Sequence, residues 1–127
     1  MSADFHCWDP VLKLQPADPD FPQKVDALYK TKEPPSPVLL GFTAALLERY
    51  QDLTLTDNTA WSVGPLGGEI IGRFMNVPVR WSRYEEAGPF VIKTAQRFGL
   101  CCYDLSANRF YLPGRRGEAF AIESGRR

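Results

Sequence analysis

Few residue types in this chain could do chemistry: the thiols Cys7, Cys101 and Cys102, one histidine, His6, and the carboxylates Glu85, Glu86 and Asp104. A thiol beside an imidazole would make a nucleophile, paired carboxylates a general acid and base, and clustered Cys and His a metal site. The spacing argues against each. Consecutive helical residues diverge by about 100°, so Glu85 and Glu86 make a poor acid–base pair. "LCCYD" has strand character, and neighbours on a strand point to opposite faces, so Cys101 and Cys102 cannot both line one pocket. A vicinal disulfide between them would be strained. Three cysteines and one histidine show no metal-ligand spacing. The expectation is no catalytic residue, no metal and no cofactor, with the cysteines acting as small hydrophobes.

The segment "RWSRYEEAGPFVIKTAQRFGLCCYDLS" then reads as strand, helix, strand. Ser82 and Glu85 have the spacing of a capping box, and Glu85 and Glu86 suit the positive end of a helix dipole. Tyr84, Ala87, Val91, Ala95 and Phe98 share one helix face, and Gly99 supplies a left-handed C-cap. Pro89 lies too deep for a first turn, which predicts a kink or a regular helix beginning near Gly88. Asp104 and Asn108 bracket a turn before a last strand, "RFYLPG".

Upstream, "DFHCWDP" predicts a strand with Phe5 and Cys7 on one face and His6 and Trp8 on the other. Asp20 with Gln23 starts a short helix ending near "TKEPP". Ser36 and Pro37 start another, whose stripe holds Val38, Leu39, Phe42, Ala45, Leu46, Tyr50 and Leu53. Arg49 falls in that stripe and is expected to lay its stem over the core and reach water. Leu40 and Leu47 lie on the far side, offering a second contact surface. Strands are predicted at Trp61–Val63, Glu69–Met75 and Val77–Ser82, the last with Val77, Val79 and Trp81 in phase and with Pro78 marking either an exposed edge or a late start. The Gly67–Gly68 pair lacks a following Lys-Ser/Thr and opens into a strand, so it reads as a turn and not a phosphate loop.

The order β, α, α, β, β, β, α, β, β predicts an α+β domain: a largely antiparallel sheet of four to six strands, about three helices packed on one face, and a split βαβ, ferredoxin-like core. In that core "FHCW" and "LCCYD" lie near the sheet centre. A chain of 127 residues is read as a single domain, 1–127, with residues 114–127 a flexible or partner-facing tail. Fifteen basic and fifteen acidic residues cancel, which speaks against a nucleic-acid partner. The charge is split: residues 1–60 hold five Lys/Arg against nine Asp/Glu, and residues 61–127 hold ten against six. No run approaches the roughly 20 apolar residues a membrane span needs, and no secretory signal opens the chain. A reducing cytoplasm is the expected compartment.

The opening strand ending in tryptophan, "FHCWDP", and the run from Trp81 through F-V, a helix and G-L to Tyr103–Asp104 resemble a group of small bacterial proteins. These are of the kind encoded beside secreted toxins, some of which act as immunity proteins. The resemblance implies a protein partner and supplies no catalytic residue. The favoured function is therefore a protein-binding module, in its specific form one that neutralises a toxin encoded nearby. Trp61, Arg73, Arg80 and Arg83 are the candidate contacts, since Trp and Arg are favoured interface anchors. A small enzyme or ligand-binding domain is the alternative; it needs Cys101 or Cys102, His6, Asp104 or Glu85 to converge in a pocket. A self-associating subunit, joined through a strand edge or the Leu40/Leu47 surface, is the third reading and would make a homodimer.

Overall fold

A computed structural model describes residues 2–113 and, as backbone, 121–123. Strand β1 (Ser2–Trp8) leads through a proline-rich loop to helices α1 (Phe21–Thr31) and α2 (Pro37–Arg49). A long loop and a 3-10 turn precede β2 (Ile70–Ile71) and β3 (Phe74–Arg80). Helix α3 (Tyr84–Arg97), β4 (Cys101–Asp104), β5 (Arg109–Tyr111) and β6 (Ala121–Glu123) follow. The sheet runs β2-β3-β1-β4-β5-β6 with every pair antiparallel. Placing β1 between β3 and β4 gives the strand order of a split βαβ core. Strand β6 extends the sheet by pairing with β5, so residues 121–123 of the expected tail belong to the fold; the rest of 114–127 lies outside the described residues.

Strand alternation divides the core in two. Phe5 and Cys7 of β1, Met75, Val77 and Val79 of β3 and Cys102 of β4 face α2 and α3, meeting Leu39, Phe42, Leu46, Val91 and Ala95. The opposite face carries Trp8, Phe74, Cys101, Tyr103 and Phe110, covered by Phe21 and Val25 of α1. Trp8 stacks on Phe74 and Phe110 with ring centroids 6.1 and 5.6 Å away. The expectation of helices on one face is thus corrected: α1 crosses to the other side. Its stripe, anchored by Phe21, Val25 and Leu28, packs on this second layer.

Local signals set several boundaries. The Ser36 hydroxyl accepts the Leu39 N–H at 3.3 Å with Pro37 opening α2. Gly99 takes φ +72° beyond α3, and Lys32, at φ +53°, ends α1. The Ser82 capping box does not form. A 3-10 turn, Trp81–Arg83, feeds straight into α3, and Arg83 occupies the cap position without a side-chain bond. Pro89 sits on the exposed side within the continuous helix. The predicted strands at 69–75 and 77–82 merge differently. The chain turns at Gly72–Arg73, where Gly72 adopts φ +58°, and β3 then runs unbroken to Arg80. The Gly72 N–H donates to the Glu33 carbonyl and its carbonyl accepts from Ser36, tying the hairpin to the α1–α2 linker.

Strand β2 covers β3 only at Phe74 and Met75, so Pro78 sits on an edge. Its carbonyl accepts the Ser62 N–H at 3.0 Å, which turns its nitrogen away from β1, where a missing donor leaves the central ladder intact. The strand expected at Trp61–Val63 reduces to a single bridge, Trp61 to Val79. This bridge inserts the Trp61 indole into the α2–α3 core, fully buried, its Nε1–H donating to the Tyr50 carbonyl at 2.9 Å. Trp61 is therefore a core residue and not a surface contact, which corrects its assignment as a partner-binding side chain. Trp81 has the opposite fate: β3 stops at Arg80, and Trp81 is left 44% exposed.

This exchange predicts unequal costs. Trp61→Phe strands the Tyr50 carbonyl and opens a void, and should lower unfolding free energy by about 2 kcal/mol in urea titration. Trp81→Phe should stay within about 0.5 kcal/mol of the parent. Equal effects would refute the burial pattern.

Candidate functional site

A depression lies between α3 and the β4–β5 hairpin. Tyr84, Gly88 and Ile92 recur every four residues and so share the helix face that borders it. Glu85 and Pro89 form the helix-side rim, and Asp104, Ala107, Arg109 and Tyr111 form the other wall. Its volume is about 370 Å³, and an apolar extension of about 210 Å³ continues past Ile92, Lys93 and Tyr111. At Gly88 an added Cβ would come 3.3 Å from Phe5 Cζ, so the missing side chain lets α3 sit close to the sheet.

Asp104 joins the two walls. It is 2% exposed, and a buried carboxylate is costly unless its oxygens are bonded. The Tyr84 hydroxyl donates to Oδ2, and the backbone N–H groups of Ser106 and Ala107 donate to Oδ1 at 3.0 and 3.1 Å. These bonds also build the predicted turn, which Asn108 closes at φ +54° while accepting from the Tyr103 hydroxyl at 2.6 Å. Burial, and then the bond to Asp104, hold the Tyr84 phenol well above its ordinary 10.0. Tyr111 is raised as well, first by burial and then by Asp104.

Of the residues considered for chemistry, Glu85 and Asp104 meet in this groove, and the others do not. Cys7 and Cys102 lie buried under α2 and α3, with their sulfurs 3.7 Å apart. Cys101 faces α1, as the alternation predicts. Burial pushes its thiol up to about 12, and burial followed by the Cys7 neighbour raises Cys102 well above the usual thiol range. Neither is poised as a thiolate at neutral pH. His6 borders a separate hollow of about 230 Å³ with Phe21, Val25, Asp26 and Leu105, its ring 5.0 Å from that of Phe74. The Cys7–Cys102 thiols, the His6 imidazole and the Glu85 and Asp104 carboxylates therefore occupy three different places. Among the described residues no group of three His, Cys, Asp or Glu side chains could hold a metal, and no helix is long and apolar enough to cross a membrane.

The arginines separate as well. Arg73 is at the β2–β3 turn, bridging to Asp9 at 3.1 Å. Arg80, at the other end of β3, donates to the Asp57 carbonyl at 2.6 Å. Arg83 pairs with Glu86 and lies 5.4 Å from the Tyr50 ring centre, which Arg49 also covers at 4.9 Å. Arg49 is exposed, as its expected reach to water requires. Leu40 is 52% exposed, while Leu47 packs against the core. Trp81, the surface aromatic that strand phasing hid, tilts against Tyr84 at 5.3 Å beside the groove mouth.

No protein-family model, curated protein or solved structure matches this chain.

Burial of Tyr84, together with its bond to Asp104, has a pH signature. In the unfolded chain the phenol loses its proton near 10; in the folded chain it keeps it to higher pH. The unfolded state thus binds fewer protons above that value, and stability falls as pH rises from about 10 upward. Tyr84→Phe should make this fall shallower by about one proton between roughly pH 10 and 12, and lower stability at pH 7 by about 1 kcal/mol through the donor lost to Asp104. Chemical denaturation across that range measures both: an unchanged slope would exclude the raised phenol, and unchanged stability at pH 7 would exclude the bond.

Proposed function

We propose that this chain is a non-enzymatic protein-binding module. Its contact surface is the end of the sheet where Trp81, Arg83 and the mouth of the α3 groove adjoin. The observation that carries this reading is Trp81: a large aromatic 44% exposed yet held against Tyr84. An interface anchor gains most when it is already ordered, because less side-chain entropy is lost on contact. Arg83 is similarly fixed by Glu86 and the Tyr50 ring. Arg80, one residue before Trp81, adds a second guanidinium to the same end, whereas Arg73 lies at the far end of β3 and stands apart from this surface. In its specific form the module is a bacterial immunity protein that neutralises a toxin encoded beside it in the cytoplasm, in keeping with the "FHCWDP" and Trp81–Asp104 resemblance.

The groove supports a second reading, a ligand-binding domain. It places an apolar channel at Pro89, Ile92 and Tyr111 next to the polar group of Glu85, Tyr84 and Arg109, which suits a small amphipathic molecule.

Titration calorimetry of the purified chain against the product of the adjacent gene should give a stoichiometric complex. Trp81→Ala should weaken it at least tenfold while the unfolding midpoint stays within about 3 °C of the parent. Absence of binding, or an affinity indifferent to Trp81, would reject the assignment.

A further inference from the structure

The function proposed above leaves the buried sulfur pair unused, and that pair has a specific geometry. Cys7 and Cys102 are direct partners in the β1–β4 ladder, and their Sγ atoms are 3.7 Å apart. The kind of pair follows from the ladder. Leu105 donates its N–H to the Asp4 carbonyl at 3.2 Å, so the position joining Asp4 and Leu105 is hydrogen-bonded. Alternation then makes Phe5–Asp104 non-bonded, His6–Tyr103 bonded and Cys7–Cys102 non-bonded. In non-bonded antiparallel pairs the Cα atoms approach to about 4.5 Å and the side chains lie closest, inside the roughly 4.4–6.8 Å range a disulfide accepts. Cys101 has no such option: it pairs with Trp8 and faces the other layer.

We propose that Cys7 and Cys102 form a modification site, a cross-strand dithiol that closes to a disulfide by exchange with a small disulfide of the glutathione class. One cysteine thiolate attacks a glutathione sulfur, forming a mixed disulfide and expelling one glutathione thiolate. The second cysteine attacks the protein-side sulfur, forming the Cys7–Cys102 bond and expelling the other glutathione. Two electrons and two protons pass from the protein to the reagent, which leaves as two thiols. Both sulfurs are fully buried, so exchange proceeds while the chain folds or when the sheet opens. Once formed, the bond ties the two central strands across a loop that contains all three helices, where a cross-link restricts the unfolded chain most.

The test refolds the full chain in a buffer of reduced and oxidised glutathione, traps free thiols with iodoacetamide, and maps the tryptic peptides by mass spectrometry. The expected result is a Cys7–Cys102 cross-link about 2 Da lighter than the two free peptides, with Cys101 alkylated. The oxidised protein should melt about 10 °C above the reduced one, a gain that dithiothreitol reverses. Cys101→Ala should retain both effects and Cys102→Ala should lose both. Three free thiols after refolding, a cross-link through Cys101, or an oxidised form melting at or below the reduced one would each overturn the proposal. The parent peptide map decides the matter even if the Cys102 variant fails to fold.

Discussion

Successive side chains of a β-strand point to opposite sides, and β1 is covered on both. Everything else in this fold answers to that. Its Phe5 and Cys7 belong to the layer under α2 and α3, and Trp8 to the layer under α1. A register slip of one residue would exchange the two sets and put Trp8 where α2 and α3 leave space for Cys7. Large aromatics contribute most of the α1 layer, whereas beneath α2 and α3 the sheet presents Cys7, Val77, Val79 and Cys102 beside Phe5 and Met75. That asymmetry allows two helices to approach one face closely while one helix suffices for the other.

The end of the sheet where β3 and β4 terminate is where the surface features gather. Strand β3 stops at Arg80 and the chain tightens into a 3-10 turn before α3. That turn swings Trp81 outward, while Tyr84 reaches across to Asp104. Asp104 thus serves three tasks: it ends β4, builds the turn to β5 and anchors α3. The cost of burying its charge is offset by one phenol and two backbone donors. In the groove Gly88 lets the helix sit close to Phe5, with Tyr84 on one wall and Tyr111 on the other. The apolar and charged parts of this region are fixed in place by contacts within the chain, which is the condition for recognising a partner without a large ordering penalty.

Glu86 and Asp104, two of the residues that suggested chemistry, have structural partners. Glu86 pairs with Arg83 and accepts from Tyr50, and Asp104 closes a turn. Cys101 and Cys102 divide between the two layers. Glu85 and Asp104 do share one groove, and phenols and a guanidinium surround them there, with the thiols and the imidazole elsewhere.

Features governed by neighbours in the chain were legible in the sequence. The Ser36–Pro37 start, the Gly99 stop, the end of α1 near Lys32, the alternation of β1 and β4 and the turn from Asp104 to Asn108 all depend on contacts within a few residues. So did the α+β class, because two strand–helix units with a hairpin between them have few ways to close an antiparallel sheet. What depended on distant segments was hidden. Trp61 and Trp81 exchange places because the 59–62 loop, not β3, fills the gap above Val79. The hairpin turn falls at Gly72 because the α1–α2 linker grips that residue on both sides. Cys7 meets Cys102 only because the sheet puts β1 beside β4. By itself the sequence determined which segments become helix or strand and which face of each is apolar, since caps and periodicity act locally. Tertiary structure decided which of those faces meet, and with that which tryptophan is buried, where the groove opens and which sulfurs touch, because these depend on packing between residues far apart in the chain.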